Sequence, residues 1–76
     1  MKPITINTEY ITLSQLLKMV NCVQSGGEAK FFLKNTPIEV NGENENRRGK
    51  KLVHSDIILI QGVGKFEIVN SQLHVK

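Results

Sequence analysis

Residues 12–33 read TLSQLLKMVNCVQSGGEAKFFL, and this stretch holds two helix starts. Thr12-Leu13-Ser14-Gln15 has the form of a capping box. A hydroxyl stands at the N-cap, and the glutamine three residues later has a side chain long enough to reach back. Ile11 before the cap and Leu16 one turn into the helix suit a hydrophobic staple. Leu13, Leu16, Leu17 and Val20 then recur at helical spacing and form one apolar face, which predicts a helix over 13–21. Ser25-Gly26-Gly27-Glu28 repeats the capping-box form a few residues on. Ala29, Phe32 and Leu33 give the second helix its apolar face, while Lys30 and Lys34, four apart, share another. Pro37 ends it, because the residue before a proline is pushed out of the α region. Two short helices with a brief link make a helical corner.

Outside that corner the pattern is that of strands. Ile4-Thr5-Ile6 alternates, with Pro3 in the place proline takes at a strand start or edge. Ile38-Glu39-Val40 runs into Asn41-Gly42, the pair favoured by a type I′ hairpin turn. Ile57 to Ile60 is apolar and mostly β-branched. Val63-Gly64 reads as a turn, and Lys65 to Val69 alternates with Phe66 and Ile68 inward. The expected fold is therefore α+β, a two-helix corner packed on a small curved antiparallel or mixed sheet. Its expected core is Leu13, Leu16, Leu17, Val20, Ala29, Phe32, Leu33, Val40, Ile58, Ile60, Phe66 and Ile68. One domain is expected over residues 1–76, with its body at about 4–69 and a frayed tail from Ser71 to Lys76.

A chain of 76 residues has a thin core, since a domain of about 60 residues buries only roughly 60% of its unfolded surface. That favours a surface that docks on something larger over a deep substrate pocket. Net charge is +3. Arg47, Arg48, Lys50 and Lys51 supply +4 with no acid between residues 46 and 51, whereas the other 70 residues hold six cations and seven acids, a balance of −1. All the excess charge therefore lies in one hexapeptide, a pattern that suits a polyanion partner better than a small ligand. This segment reads as a twisted strand or an extended loop beside the sheet, with Gly49 as its bend.

The lone Cys22 has no partner for an internal disulfide and reads as a small core hydrophobe. Neither His54 nor His74 has a carboxylate or thiol at a telling spacing, so no catalytic constellation, metal site or cofactor motif is present. No apolar run approaches the ~18 residues of a membrane span, and no signal peptide opens the chain. A cytoplasmic, non-enzymatic protein, with no cofactor and no membrane partner, is the expectation, and a monomer is the simplest assembly.

Several pieces stand in a recognisable order: Leu16-Leu17, the link Gln24-Ser25-Gly26-Gly27, Glu28-Ala29-Lys30, Val40-Asn41-Gly42, Asn46-Arg47-Arg48-Gly49, and Ser55-Asp56 before an apolar strand. In this the chain resembles the RNA-binding domain named after the fourth protein of the small ribosomal subunit, the S4 domain, and in particular the small stand-alone bacterial members of the YaaA type. The resemblance runs from about Thr5 to Val69. It implies an α+β fold with the αL motif and a partner in structured RNA, of the ribosomal or tRNA class, met alone or in a ribosomal particle. It also implies a binding surface formed by Gln24, Ser25, Gly26, Gly27, Lys30, Lys34, Arg47, Arg48, Lys50 and Lys51. Two departures stand out. Gly27 and Glu28 occupy the start of the second helix, where many members carry a basic residue, and Ser55 stands where glycine commonly precedes Asp56.

These residue types suit RNA. Arginine offers a planar fork that bonds two phosphate oxygens or stacks on an unpaired base, and lysine acts as a point charge. Gly26-Gly27 opens a helix whose free N–H groups can receive a phosphate, or serves only a tight turn, and Glu28 competes for the same N–H groups. Phe31 and Tyr10 read as ordinary packing residues, with base stacking as the second reading. Asp56 reads as a turn residue bonded to its own backbone. The rival class is a non-covalent protein adaptor of ubiquitin-like type, which shares a small sheet and a similar hairpin. The ending Leu73-His74-Val75-Lys76 lacks the Gly-Gly of the carrier form.

Overall fold

The first capping box forms in full. In the computed structural model, which describes residues 1–74, the Thr12 hydroxyl accepts from the Gln15 N–H and the Gln15 side chain accepts from the Thr12 N–H at 2.7 Å. Helix α1 follows over Leu13–Met19. It ends two residues sooner than the apolar face suggests. Asn21 takes a left-handed conformation, φ 63°, and its N–H and that of Cys22 return to the carbonyls of Lys18 and Leu17. This is a Schellman closure with asparagine at the left-handed position. Val20 is the C-cap and only partly buried, so it borders the core that it was expected to join. Helix α2 spans Gly26–Asn35. Its cap is half of the expected box. Ser25 Oγ accepts from the Glu28 N–H at 3.2 Å, but the Glu28 carboxylate accepts from the Gln24 N–H, one residue earlier, at 2.6 Å.

Among the described residues seven strands accompany the helices: β1 (Lys2–Ile6), β2 (Ile11–Thr12), β3 (Ile38–Val40), β4 (Glu43–Asn44), β5 (Lys51–Leu52), β6 (Ile57–Ile60) and β7 (Gly64–Asn70). Five form a mixed sheet in the order β1-β7-β6-β3-β4, with β1 parallel to β7 and the other pairs antiparallel. The expected Asn41-Gly42 hairpin is present, both residues having positive φ, 55° and 86°, as a type I′ turn requires. Strands β2 and β5 pair separately, Ile11 opposite Leu52 and Thr12 opposite Lys51. A two-residue strand carries no periodicity, which is why this pair is silent in the sequence. Where a frayed tail was expected from Ser71, a 3₁₀ turn runs over Ser71–His74; Val75 and Lys76 lie outside the described residues.

The core gathers the helix faces and the inner face of the sheet. Leu13, Leu16, Leu17, Ile58, Ile60 and Ile68 are fully buried. Ile4, Ile6, Ile11, Val23, Ile38 and Leu52 join them, although the apolar periodicities did not single them out as core. Phe32, like Val20, is only partly buried, because it flanks the apolar stripe of α2 that Ala29 and Leu33 centre. Cys22 packs against this core as a small hydrophobe, and burial raises its thiol pKa.

Asp56 ties two turns together. One carboxylate oxygen accepts from the Val53 N–H at 2.9 Å, the other from Asn41 Nδ2 at 3.0 Å, and Asn41 Oδ1 in turn accepts from the Ile57 N–H at 2.9 Å. Ser55 beside it sits at φ 78°, where glycine is at ease and serine is strained. Asp56→Ala strands the partners of both oxygens and should cost about 1–3 kcal/mol. Urea denaturation measures this, and an unchanged midpoint would mean that water replaces the carboxylate at no cost.

Candidate nucleic-acid interface

The basic segment is a loop, and the backbone pins it at three places. The Glu45 N–H bonds the Ile38 carbonyl of β3 at 2.8 Å. The Ser14 and Leu13 N–H groups bond the carbonyls of Arg48 and Lys50 at 2.9 and 2.8 Å. Those two N–H groups belong to the first turn of α1, which has no helical acceptors of its own. The start of α1 therefore holds the loop through its backbone and leaves its side chains available. Gly49 lies in the turn but not in the left-handed region, so the bend does not depend on glycine.

From this anchored loop Arg48 crosses to α2, where its Nη1 donates to the Gly26 carbonyl at 3.0 Å. Between loop and helix lies an open cleft of about 510 Å³, lined by Lys30, Leu33, Lys34, Asn46 and Arg48. Three cations thus converge on one concavity whose lining, among the described residues, includes no acid. Lys30 and Lys34 come from the polar face of α2 and Arg48 from the loop, far apart in sequence. Asn46 was not among the expected site residues. Its sequence signals were its place in the acid-free hexapeptide and in the run Asn46-Arg47-Arg48-Gly49.

The other expected residues are distributed differently. Arg47 faces Glu45, with Nε to Oε2 at 2.9 Å and Nη2 to Oε1 at 3.2 Å, so its fork is engaged within the free protein. The hydrogen bond from Arg47 holds the Glu45 carboxyl below its ordinary range, and the same bond raises the Arg47 pKa. Lys50 is half-buried. Lys51 leaves the cleft altogether, its Nζ lying 4.9 Å from the centroid of the Tyr10 ring. Gln24 and Ser25 are exposed at the entry to α2, where Ser25 caps the helix. Neither Gly26 nor Gly27 has positive φ, and a Cβ on either would meet no close neighbour, so the tight-turn reading does not explain them. Glu28 stands in the first turn of α2, where its Oε1 accepts from the Gln24 N–H at 2.6 Å. Phe31 is 67% exposed and Tyr10 39%, so neither is the ordinary packing residue it reads as in the sequence.

The ion pair carries a pH dependence of known sign. Glu45 has a folded pKa below its unfolded one. Its contribution to stability is therefore present above the unfolded value and is lost as pH falls through the folded one. Glu45→Gln should leave stability at neutral pH lower and its decline below about pH 5 shallower. Thermal melts from pH 3 to 7 check this; parallel curves for the two proteins would show that the pair does not couple to folding.

The residues that build this arrangement all fall in the match to the model of the S4 domain, which spans residues 4–69. The chain belongs to the S4 domain family. A curated S4-sized relative, the "Probable ribosome maturation protein RlbA" of Bacillus subtilis (strain 168), is 52% identical over 68 residues, covering 90% of this chain and 96% of that protein. The S4 match accounts for the two-helix corner and mixed sheet, and it favours this family over the ubiquitin-like alternative. Among the described residues, no group of three or more His, Cys, Asp or Glu is placed to hold a metal, and no helix is long and apolar enough to cross a membrane.

Proposed function

We propose that this S4 domain is a non-catalytic module that binds structured RNA, with ribosomal RNA or a ribosomal particle as its partner, in the cytoplasm and as a monomer. The observation that carries the reading is the acid-free cleft in which Lys30, Lys34 and Arg48 meet. A phosphate backbone lying there would meet two point charges and a guanidinium. The Arg48 group gives one N–H to Gly26 and has others to offer. Lys50 and the Gly26-Gly27 end of α2 extend the same surface, and the open backbone there permits close approach. Arg47 joins by exchanging Glu45 for a phosphate, so its contact is weaker than its charge suggests. The ribosome maturation named for the Bacillus subtilis relative supports a ribosomal partner over tRNA.

Sedimentation of cell lysate through sucrose gradients tests this. The protein should travel with ribosomal subunits or their precursors at low salt. It should move to the top after ribonuclease treatment or at raised salt, because counterion release weakens phosphate contacts as salt increases. Migration at the top under all conditions, or association that survives both treatments, would contradict it.

A further inference from the structure

A second concavity, about 830 Å³, is larger than the basic cleft. It lies beside the loop between β1 and β2, and its lining includes Asn7, Glu9, Tyr10, Gln15 and Met19. The loop that carries Tyr10 is braced. Asn70, 6% exposed, donates its Nδ2 to the Thr8 carbonyl at 3.0 Å, and the Thr8 hydroxyl donates to the Tyr10 carbonyl at 2.9 Å. Strand β2 begins at the next residue and pairs with β5, which sets Lys51 opposite Thr12 and its amine 4.9 Å from the Tyr10 ring. The result is an aromatic ring, partly open to solvent, with the Lys51 amine over one of its faces at the end of the basic loop.

We propose that Tyr10 and Lys51 form a stacking site for an unpaired base of the bound RNA; this rests on the RNA-binding reading above. Lys51, over one face of the ring, takes the phosphate, and the other face of Tyr10 takes the base. The charge of the concavity supports that polarity. Among the described residues Glu9 is its only charged lining residue, which turns a phosphate away from the interior and leaves the neutral base as the part that enters. Gln15 lends a polar edge. Its Oε1 is used by Thr12, at 2.7 Å to the N–H, while its Nε2 makes no hydrogen bond among the described residues and can donate to a base carbonyl or ring nitrogen. Half-exposed Met19 supplies an apolar wall. Stacking needs no particular base, so this site adds affinity for unpaired nucleotides and not a sequence code.

Tyr10 is the only tyrosine and the chain has no tryptophan, so the tyrosine emission of the unaltered protein reports on this ring alone. The protein is titrated at low salt with an end-labelled oligouridylate and with an abasic oligonucleotide of the same phosphate number. Binding is followed by label anisotropy, and emission is corrected against free N-acetyltyrosinamide. Both oligonucleotides should bind, and only the one with bases should quench Tyr10. Tyr10→Ala should weaken oligouridylate roughly 5- to 150-fold with little change for the abasic strand, and Tyr10→Phe should restore the affinity. Equal quenching by both strands, or binding of oligouridylate without quenching, would overturn the stacking site alone. No anisotropy change with either strand while a labelled RNA hairpin still binds would overturn this site alone, and no binding of the hairpin either would overturn the RNA-binding reading with it.

Discussion

Replacing Lys30, Lys34 and Arg48 together by alanine should lower RNA affinity roughly ten- to a hundredfold at low salt and reduce the salt dependence of binding. The expected fall in the log–log slope is roughly two to three, at about 0.7–0.9 per phosphate contact. The three side chains line one cleft, so one stretch of phosphate backbone loses all of them at once. Folding should be nearly untouched by the two lysine changes, within about 0.5 kcal/mol each. Arg48 is different, because its bond to the Gly26 carbonyl also joins the loop to α2. Its loss should cost about 1 kcal/mol more. Arg48→Lys keeps the charge but not the planar fork, so it should recover the salt slope and only part of the affinity. Lys2, Lys18 and Lys65 replaced together by alanine form the comparison set, since all three are exposed charges that line neither the cleft nor the Tyr10 concavity. If the two sets of variants weaken RNA equally, the cleft has no special role and charge alone accounts for binding.

Leu16→Ala should have the largest effect on stability, about 2–5 kcal/mol. Leu16 is fully buried on the face of α1 that meets the core. Truncation removes its buried methyl groups and leaves a cavity that a small, closely packed core fills poorly. A domain of this size is stable by only some 5–15 kcal/mol, and each kcal/mol shifts the midpoint by roughly 4–8 °C. A fall on the order of 10–30 °C is therefore expected. Met19→Ala on the exposed side of the same helix should change little, which separates loss of packing from loss of helix propensity. An unchanged melting temperature for Leu16→Ala would contradict the assigned face of α1.

The consequences for the basic loop follow from the same helix. Its first N–H groups hold the carbonyls of Arg48 and Lys50, so a change that loosens α1 also loosens the presentation of the cations. Core mutants should therefore lose RNA affinity along with stability, whereas the two lysine changes in the cleft should lose affinity alone.

The two-helix corner was legible in the sequence because its signals are local. The capping residues Thr12, Gln15 and Ser25 and the apolar spacing from Leu13 to Val20 act within one or two turns of chain. The Asn41-Gly42 turn was legible for the same reason, its left-handed backbone demanding those residue types. The parallel pairing of β1 with β7 was not, since register between distant strands leaves no mark in either one. Within the site, the concentration of charge in residues 46–51 was plain, but the division of labour inside it was not. That Arg47 bonds Glu45, that Arg48 reaches Gly26 and that Lys51 lies against Tyr10 all depend on where the loop is pinned. The pins are backbone hydrogen bonds to α1 and β3, which any residue type can make. Asp56 was readable as a turn residue from its own turn, but its second bond, to Asn41, spans 15 residues and was not.

The central claim is that the face formed by α2 and the basic loop is where RNA lies. Ultraviolet crosslinking of the protein to RNA in cells, followed by mass-spectrometric mapping of peptide–nucleotide adducts, tests it most directly. Adducts should concentrate on the segments 24–34 and 46–51 and on Tyr10, and the attached RNA should be ribosomal. Adducts confined to the outer face of the sheet, at Glu39, Leu59 or Glu67, or no adducts above an uncrosslinked control, would contradict it.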